Sequence, residues 1–211
     1  MEDISEAIDV AAGHVRGLPN VLLIQGDISR PPLPPEFFDH IVSLGVLHHT
    51  PSTRAALEAL YRPLRLGAEI AFTIYRKKAP IREFADDCVR TAIKQMSPAE
   101  AWKDMKGITE LGRALSQLNA EIDIPQIKVL GMDGGRHNVQ RLIFYTMLKC
   151  YWRDAFTFEE NVHVNYDWYY PQYAWRHTPV ELRGWFAEIG AEESFFHQIP
   201  AQLSFRACRL S

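Results

Sequence analysis

Residues 38–49 decide the fold, and they read FDHIVSLGVLHH. Residues 41–44 form a short, continuous apolar run, which is typical of a strand that is buried on both faces of a sheet. A glycine follows at position 45, and His48 and His49 come soon after it. Ligands of open α/β sheets lie just beyond the carboxyl ends of the strands. The stretch therefore predicts a buried strand that leads into the loop of a binding site.

The segments on either side alternate between strands and helices. Residues 21–24 (VLLI) form a second short apolar run, and residues 69–75 alternate well enough for a third strand. Apolar residues at helical spacing predict a helix over residues 5–15. They predict another that is capped by Thr50 or Ser52 and ended by Gly67. Strand, helix and strand joined by short links indicate an α/β fold with a parallel sheet.

The middle of the chain has a helical pattern, and the last part returns to strands. Residues 81–151 keep helical spacing apart from a glycine-rich loop at 131–135, whereas residues 178–181 (TPVE) form a capping box that starts a last helix. Residues 194–199 and 203–210 predict two strands, and their short link permits an antiparallel hairpin. We expect one domain, in which a mainly helical insertion or lid at 81–164 separates a sheet region at 1–80 from its return at 165–211.

Composition and charge argue against several classes of protein. The net charge of -3 gives no electrostatic footprint for nucleic acid or an anionic membrane. No stretch approaches the roughly 20 apolar residues of a membrane span, and the first residues lack the features of a signal peptide. The three cysteines lie far apart with no CxxC pair, which favours reduced thiols and a cytoplasmic location.

Three segments together resemble the class I S-adenosylmethionine (SAM)-dependent methyltransferases of the small-molecule, type 11/12-like kind. Residues 21–28 (VLLIQGDI) are similar to the family's third strand and Gly-Asp turn, and residues 38–49 to its fourth strand and the following loop. Residues 64–72 resemble its fifth strand, with Leu-Gly-Ala where the family has Pro-Gly-Gly. The resemblance covers residues 1 to about 75 and 165–211. It implies a Rossmann-like sheet, parallel with one antiparallel strand, and SAM as cofactor.

The resemblance also implies which residues hold the adenosine part of SAM. Asp27 would accept a hydrogen bond from the adenine amino group, and Ile28 would offer its backbone N–H. Residues 1–5 match the end of the family's second strand, where Asp3 would bind the ribose hydroxyls and Ile4 would pack under adenine. Taken by themselves, the same residues can be a strand-ending turn at Asp27 and the acidic start of a helix at residues 2–6.

The loop after residue 44 would hold the methionine end of SAM. The resemblance places Leu44, Gly45, His48 and His49 at the mouth of the site, where a backbone carbonyl near Leu44 would bind the methionine amino group. One histidine can serve as a general base, because its pKa lies near neutrality; we assign this role to His49. The alternative is that both histidines only fix the loop through hydrogen bonds. A zinc site is disfavoured, because adjacent histidines point apart and no cysteine is near.

An aromatic segment at residues 165–173 (NYDWYYPQY) is the candidate acceptor site. It resembles a segment before the last helix in some bacterial members of the family. Tyr166 and Asp167 would supply a hydroxyl and a carboxylate to a polar acceptor. A buried aromatic cluster that supports the lid explains the same residues nearly as well.

The family's first strand and its glycine-rich SAM loop have no counterpart in this sequence. Residues 131–135 (GMDGG) are the only glycine cluster, and no apolar strand leads into them. Because that strand is central in the family's sheet, we expect an N-terminally truncated sheet whose strands lack a shared neighbour. An earlier chain start, a rearranged pairing or a second subunit in a homodimer would complete it.

Three functions follow from these observations. The first is SAM-dependent methyl transfer to an unidentified small molecule, with an activity that the truncation can impair. The second is a truncated, non-catalytic relative that folds as a dimer or a rearranged domain without binding SAM. A nicotinamide-dependent oxidoreductase ranks last, because it would need the same absent glycine loop.

Overall fold

The computed structural model describes residues 2–3 and 7–210, and side chains from residue 8 onward. In chain order the elements are β1 (Glu2–Asp3), α1 (Ala7–Val15), β2 (Ile24–Gln25), β3 (Phe38–Leu44), α2 (Thr53–Tyr61), β4 (Leu64–Tyr75), α3 (Pro80–Ile93), α4 (Pro98–Gln117), β5 (Glu121–Ile124), β6 (Gly135–Asn138), α5 (Val139–Thr146), α6 (Phe158–Tyr169), α7 (Pro179–Ile189), β7 (Ala191–Gln198) and β8 (Gln202–Arg209). Short 3-10 helices lie at Leu47–His49 and Lys128–Leu130.

The chain divides into two compact units. The first unit contains Met1–Arg76 and Tyr173–Ser211, and the second contains Lys77–Gln172. The second unit therefore takes in residues 165–172 as well as the helical middle of the chain. None of the helices in the described residues has both the length and the apolar character needed to cross a membrane.

A four-stranded sheet organises the first unit. Its order is β3-β4-β8-β7. Strand β3 runs parallel to β4, whereas β8 is antiparallel to both β4 and β7. The hairpin of β7 and β8 closes through residues 199–201, as the short link predicts. The expected α/β fold, with a sheet that is parallel apart from one reversed strand, is thus confirmed.

Alternating residues of the two central strands form the core of the first unit. Ile70, Phe72 and Ile74 of β4 are buried on one face of the sheet. Phe72 stacks on Phe205 of β8 with ring centroids 5.8 Å apart, and Phe186 of α7 meets Phe205 edge to face at 5.4 Å. Leu57 and Leu60 of α2 and Phe186 of α7 belong to the same buried cluster, so both helices pack against this core.

Strands β1 and β2 form a separate two-stranded parallel sheet. The strand predicted over residues 21–24 is displaced, because only Ile24 and Gln25 pair, opposite Glu2 and Asp3. Val21 and Leu22 are exposed. Within the described residues β2 and β3 do not pair with each other.

Strand β3 lies at the edge of the four-stranded sheet. The prediction that residues 41–44 are buried on both faces is wrong, because Val42 and Leu44 are 66% and 65% exposed. Ile41 packs against the core and Ser43 is buried, so only one face of β3 is covered. Alternate residues of a strand face opposite sides. The apolar run therefore indicated the strand correctly but not its surroundings.

Helix α2 ends earlier than predicted. It stops at Tyr61, and β4 already begins at Leu64, so Gly67 lies inside the strand and does not end the helix. The reason is Pro63, because a proline lacks the N–H that a helix interior needs. Gly67 has φ +76°. It lies where the register jumps from Phe38 opposite Leu64 to His40 opposite Glu69.

The second unit consists of α3 to α6 and one hairpin. Strands β5 and β6 pair antiparallel, from Glu121 opposite Asn138 to Ile124 opposite Gly135. The prediction of a mainly helical middle missed this hairpin, since four-residue strands give almost no periodic signal. Helix α4 runs unbroken from the capping box of Ser97 and Glu100.

Candidate functional site

The loop after β3 is tied to the end of β4 by one bifurcated hydrogen bond. The N–H of Gly45 donates to the Thr73 hydroxyl at 2.9 Å and to the Thr73 carbonyl at 3.2 Å. Gly45 has φ +74°, which strains any residue with a Cβ, and an added Cβ would meet nothing within 4 Å. The glycine therefore allows the backbone conformation of the turn, and it leaves open space beside the exposed Leu44.

The two histidines that follow have different environments. His48 is only 1% exposed, and its ring lies 3.8 Å from that of Tyr75 between centroids. His49 is half-buried and meets the Tyr75 ring edge to face at 5.3 Å. The burial of His48 favours a role in fixing the loop. His49 has more access to solvent and is the better candidate for chemistry.

The tautomer of His49 is set by a hydrogen bond. Its Nδ1 lies 2.7 Å from the main-chain carbonyl oxygen of Tyr173. A carbonyl oxygen only accepts, so Nδ1 must carry the proton. In the neutral ring Nε2 is then the proton acceptor, as a general base requires.

Residues 173–177 hold this loop in place. The backbone N–H of Trp175 donates to the His48 carbonyl at 3.0 Å, and its indole N–H donates to the Thr50 carbonyl at 3.0 Å. Two residues further on, the N–H of His177 donates to the Tyr75 carbonyl at 2.9 Å. Tyr173 belongs to the aromatic segment that the sequence indicated, but its contact with His49 and the contacts of Trp175 were not predicted, because they depend on the fold.

Asp27 follows β2 in a tight turn. Its Oδ1 accepts from the Ser29 N–H at 2.8 Å, and its carbonyl accepts from the Arg30 N–H at 2.8 Å. The carboxylate is exposed. Since a carboxylate offers about four lone-pair sites, this bond leaves room for an amino group as well. The side chain of Ile28 packs partly against the core. The geometry thus suits both the turn and a ligand.

Asp3 ends β1 beside the end of β2. It is the register partner of Gln25, two residues before Asp27, and the two strands are parallel. The residues expected at the ribose and at the adenine therefore lie at or just after the carboxyl ends of neighbouring parallel strands. Ile4, expected to pack under adenine, lies outside the described residues.

Tyr166 and Asp167 belong to α6 of the second unit. The Tyr166 ring stacks on Tyr170 at 4.5 Å and meets Trp102 edge to face at 5.3 Å. Its pKa is raised, mainly because burial disfavours the phenolate. The exposed Asp167 carboxylate lies 3.2 Å from Nε2 of His163. Tyr166 is thus held by neighbouring rings, whereas Asp167 faces solvent.

Two turns of the first unit have features that a SAM site would use. The turn after β2 presents the exposed carboxylate of Asp27, and Gly45 leaves space at the end of β3. In the described part of the first unit no turn with several glycines follows a strand. Nor do three or more His, Cys, Asp or Glu side chains come together there, or elsewhere in the described chain, as a metal site would require.

Comparisons with known proteins give a family match for the first part of the chain and a shared fold for the chain as a whole. Residues 2–72 match the family described as "Methyltransferase domain". The whole chain superposes on a putative SAM-dependent methyltransferase from Listeria monocytogenes (TM-score 0.53, 12% identity, 79% of that chain covered). A SAM-dependent methyltransferase from Mesorhizobium loti superposes with a TM-score of 0.52 and 11% identity. The match covers 99% of this chain and 78% of that one.

A possible exported protein from Bordetella parapertussis also shares the fold, with a TM-score of 0.51 and 13% identity over the whole chain. The chain spans 52% of that protein's length and 41% and 38% of two other solved structures that it matches. A search of curated proteins found no match. Because the identities are low, these structures support the fold alone.

Proposed function

We propose that this protein transfers the methyl group of SAM to a small-molecule acceptor, because residues 2–72 match the methyltransferase-domain family and the chain shares the fold of SAM-dependent methyltransferases. The observation that carries the proposal is where the matched residues lie. Asp3 is the last residue of β1, Asp27 lies two residues after the end of β2, and Gly45 directly follows β3. Ligands of open α/β sheets bind at these ends.

The proposed binding of SAM uses side chains and backbone of the first unit. Asp27 accepts from the adenine amino group, and the Ile28 N–H donates to the ring. Asp3 accepts from the ribose hydroxyls, and a carbonyl near Leu44 accepts from the methionine amino group. The open space beside Gly45 supports the last contact. When bound, SAM supplies an electrophilic methyl group on a sulfonium sulfur.

His49 is the proposed general base. The hydrogen bond from its Nδ1 to Tyr173 makes Nε2 the atom that takes the proton from an acceptor O–H or N–H. A well-placed base of this kind contributes a factor of about 10² to 10⁴ in rate. Tyr166 and Asp167 are the proposed contacts to the acceptor, and the ring stacking of Tyr166 supports that role by fixing its hydroxyl.

Calorimetric titration with SAM tests the proposal. We expect saturable binding that Asp27→Ala weakens. Asp39→Ala is the matched control, since Asp39 lies at the amino end of β3 and pairs with Arg65; it should bind SAM like the unmodified protein. Absence of binding at saturating SAM would contradict the proposal and favour the non-catalytic alternative.

A second candidate function is a non-catalytic, dimeric relative of the methyltransferases. The observation that favours it is the edge of β3, where Val42 and Leu44 are exposed and a further strand could pair. Light scattering tests this candidate. A dimer that Val42→Lys converts to a monomer would support it, and a monomer at all concentrations would exclude it.

A further inference from the structure

The segment before α7 presents two aromatic side chains as one surface. Tyr173 and Trp175 flank the buried Ala174. Their rings lie nearly parallel, with an angle of 19° between the planes and 6.3 Å between the centroids. Trp175 is 47% exposed, so part of its ring faces solvent. We name this pair of rings the aromatic surface.

The Trp175 ring is held in place despite its exposure. Its indole N–H donates to the Thr50 carbonyl and its backbone N–H donates to the His48 carbonyl, both at 3.0 Å. The indole N–H is the only polar group of this side chain, so the rest of the ring has no polar partner to satisfy. A ring that is already immobilised loses little conformational entropy when a ligand stacks on it.

The aromatic surface adjoins the loop of the proposed base. The Tyr173 carbonyl accepts from Nδ1 of His49 at 2.7 Å, and Thr50, which accepts from the indole, directly follows His49. The same loop exposes further apolar side chains, because Leu44 and Val46 are 65% and 42% exposed. Small-molecule sites are lined mainly by apolar and aromatic side chains with a few polar groups. An aromatic ring therefore suits this place better than a sugar or a small ion does.

We propose that the methyl acceptor carries an aromatic ring, which stacks on Trp175 and Tyr173 and brings its O–H or N–H to Nε2 of His49. This inference rests on the proposed methyl transfer, because only that reaction needs an acceptor. In the transfer step the acceptor oxygen or nitrogen bonds to the methyl carbon, and the sulfonium sulfur keeps the electron pair of the broken C–S bond. Nε2 of His49 holds the proton that the acceptor releases.

The test is NMR titration of the full-length, 15N-labelled protein without SAM. The probes are phenol and cyclohexanol, which have the same ring size and one hydroxyl each. We expect phenol to shift the indole N–H signal of Trp175 and the amide of His49, and to bind about three- to tenfold more tightly than cyclohexanol. Equal affinities, or phenol shifts confined to other parts of the protein, would overturn the proposal.

Two variants separate the ring of Trp175 from its hydrogen bond. Trp175→Phe keeps an aromatic face but loses the N–H, whereas Trp175→Gln keeps an N–H donor but loses the face. Followed at the His49 amide, phenol should bind to the first variant within about twofold of the unmodified protein and to the second at least about threefold more weakly. The reverse order would mean that only the bond to Thr50 matters, and would exclude stacking.

Trp152→Leu is the matched control, because the Trp152 indole donates to Asp154 in the second unit and its loss should leave phenol binding unchanged. If a Trp175 variant fails to fold by circular dichroism, the difference between phenol and cyclohexanol in the unmodified protein decides. The outcome is separate from the calorimetric test of SAM binding. Phenol binding without SAM binding would contradict methyl transfer, and SAM binding without phenol binding would contradict the aromatic acceptor.

Discussion

Nδ1 of His49 lies 2.7 Å from the carbonyl oxygen of Tyr173, a residue more than half of the chain away. The bond joins the loop after β3 to the segment that precedes α7. Because Trp175 bonds to the carbonyls of His48 and Thr50, both sides of this contact are fixed. The ring of His49 therefore has a fixed orientation, with a proton on Nδ1.

Replacing His49 with asparagine separates the two roles of the ring. The asparagine amide can keep the donor to Tyr173 but has no basic nitrogen. We expect methyl transfer to slow by about 10² to 10⁴-fold, with the affinity for SAM unchanged. His40→Asn, on an exposed position of β3, is the control; equal rates in both variants would refute a base at His49.

Asp86 neutralises a buried arginine in the second unit. Its carboxylate accepts from Arg82 at 2.9 Å and from the Trp168 indole at 3.0 Å, and neither ion of the pair is more than 1% exposed. Asp86→Asn leaves the guanidinium without its charge partner, so we expect a loss of about 3–5 kcal/mol in the free energy of unfolding.

Urea denaturation measures this loss, with Glu110→Gln as the control. Glu110 forms an exposed pair with Arg113, and its removal should cost only about 0–1 kcal/mol. Similar costs for the two variants would mean that the buried pair is not a source of stability.

Lys149 should make stability depend on pH. Its ammonium is buried, lies 4.3 Å from the centroid of the Trp168 ring and donates to the Val164 carbonyl at 3.3 Å. Burial, and secondarily the charge of Arg82, hold its pKa well below the usual value. The unfolded chain then binds more protons between that lowered pKa and about 10.4, so this group makes stability rise with pH in that range.

Lys149→Met should remove this rise and stabilise the protein at neutral pH. Unfolding free energies at several pH values measure the effect, as the difference between variant and unmodified protein. The difference is needed because Tyr169 and Cys150, whose pKa values are raised mainly by burial, act in the opposite direction at high pH. The exposed Lys103→Met is the control, and equal pH profiles for all three proteins would contradict the assignment.

The start of α7 depends on Thr178. Its hydroxyl accepts from the Glu181 N–H at 3.2 Å, while the Glu181 carboxylate accepts from the Thr178 N–H at 2.7 Å. Thr178→Ala should cost about 1 kcal/mol, seen as a lower Tm. Thr178→Ser keeps the hydroxyl and should unfold close to the original temperature, so an equal drop in both variants would point to a cause other than the cap.

Elements with local signals were predicted well. The capping box at Thr178 correctly placed the start of α7, because it depends on two residues that are three apart. The short link after residue 199 correctly predicted the hairpin of β7 and β8. In these cases the chemistry that fixes the structure lies within a few residues of chain.

Features that depend on distant partners were predicted poorly. The apolar character of residues 21–24 does not reveal that the only strand that pairs with β2, among the described residues, is two residues long. Likewise, the apolar side chain of Val42 does not reveal that β3 lies at the edge of its sheet. In the candidate site the loop of His49 was found from its strand, but the contact with Tyr173 arises only when the chain folds back. The roles assigned to Asp3, Asp27, Tyr166 and Asp167 stay predictions.

Strand β8 lies between β4 and β7, although β7 precedes it in the chain. A ribosome makes β4 long before it makes residues 202–209, and domains assemble as the chain emerges. Until then one edge of β4, the strand that contains Phe72, lacks the neighbouring strand with which its backbone forms hydrogen bonds. The core of the first unit can therefore close only after β8 has been synthesised. A premature stop codon in this stretch would remove the middle of the sheet and leave a product for chaperones and proteases.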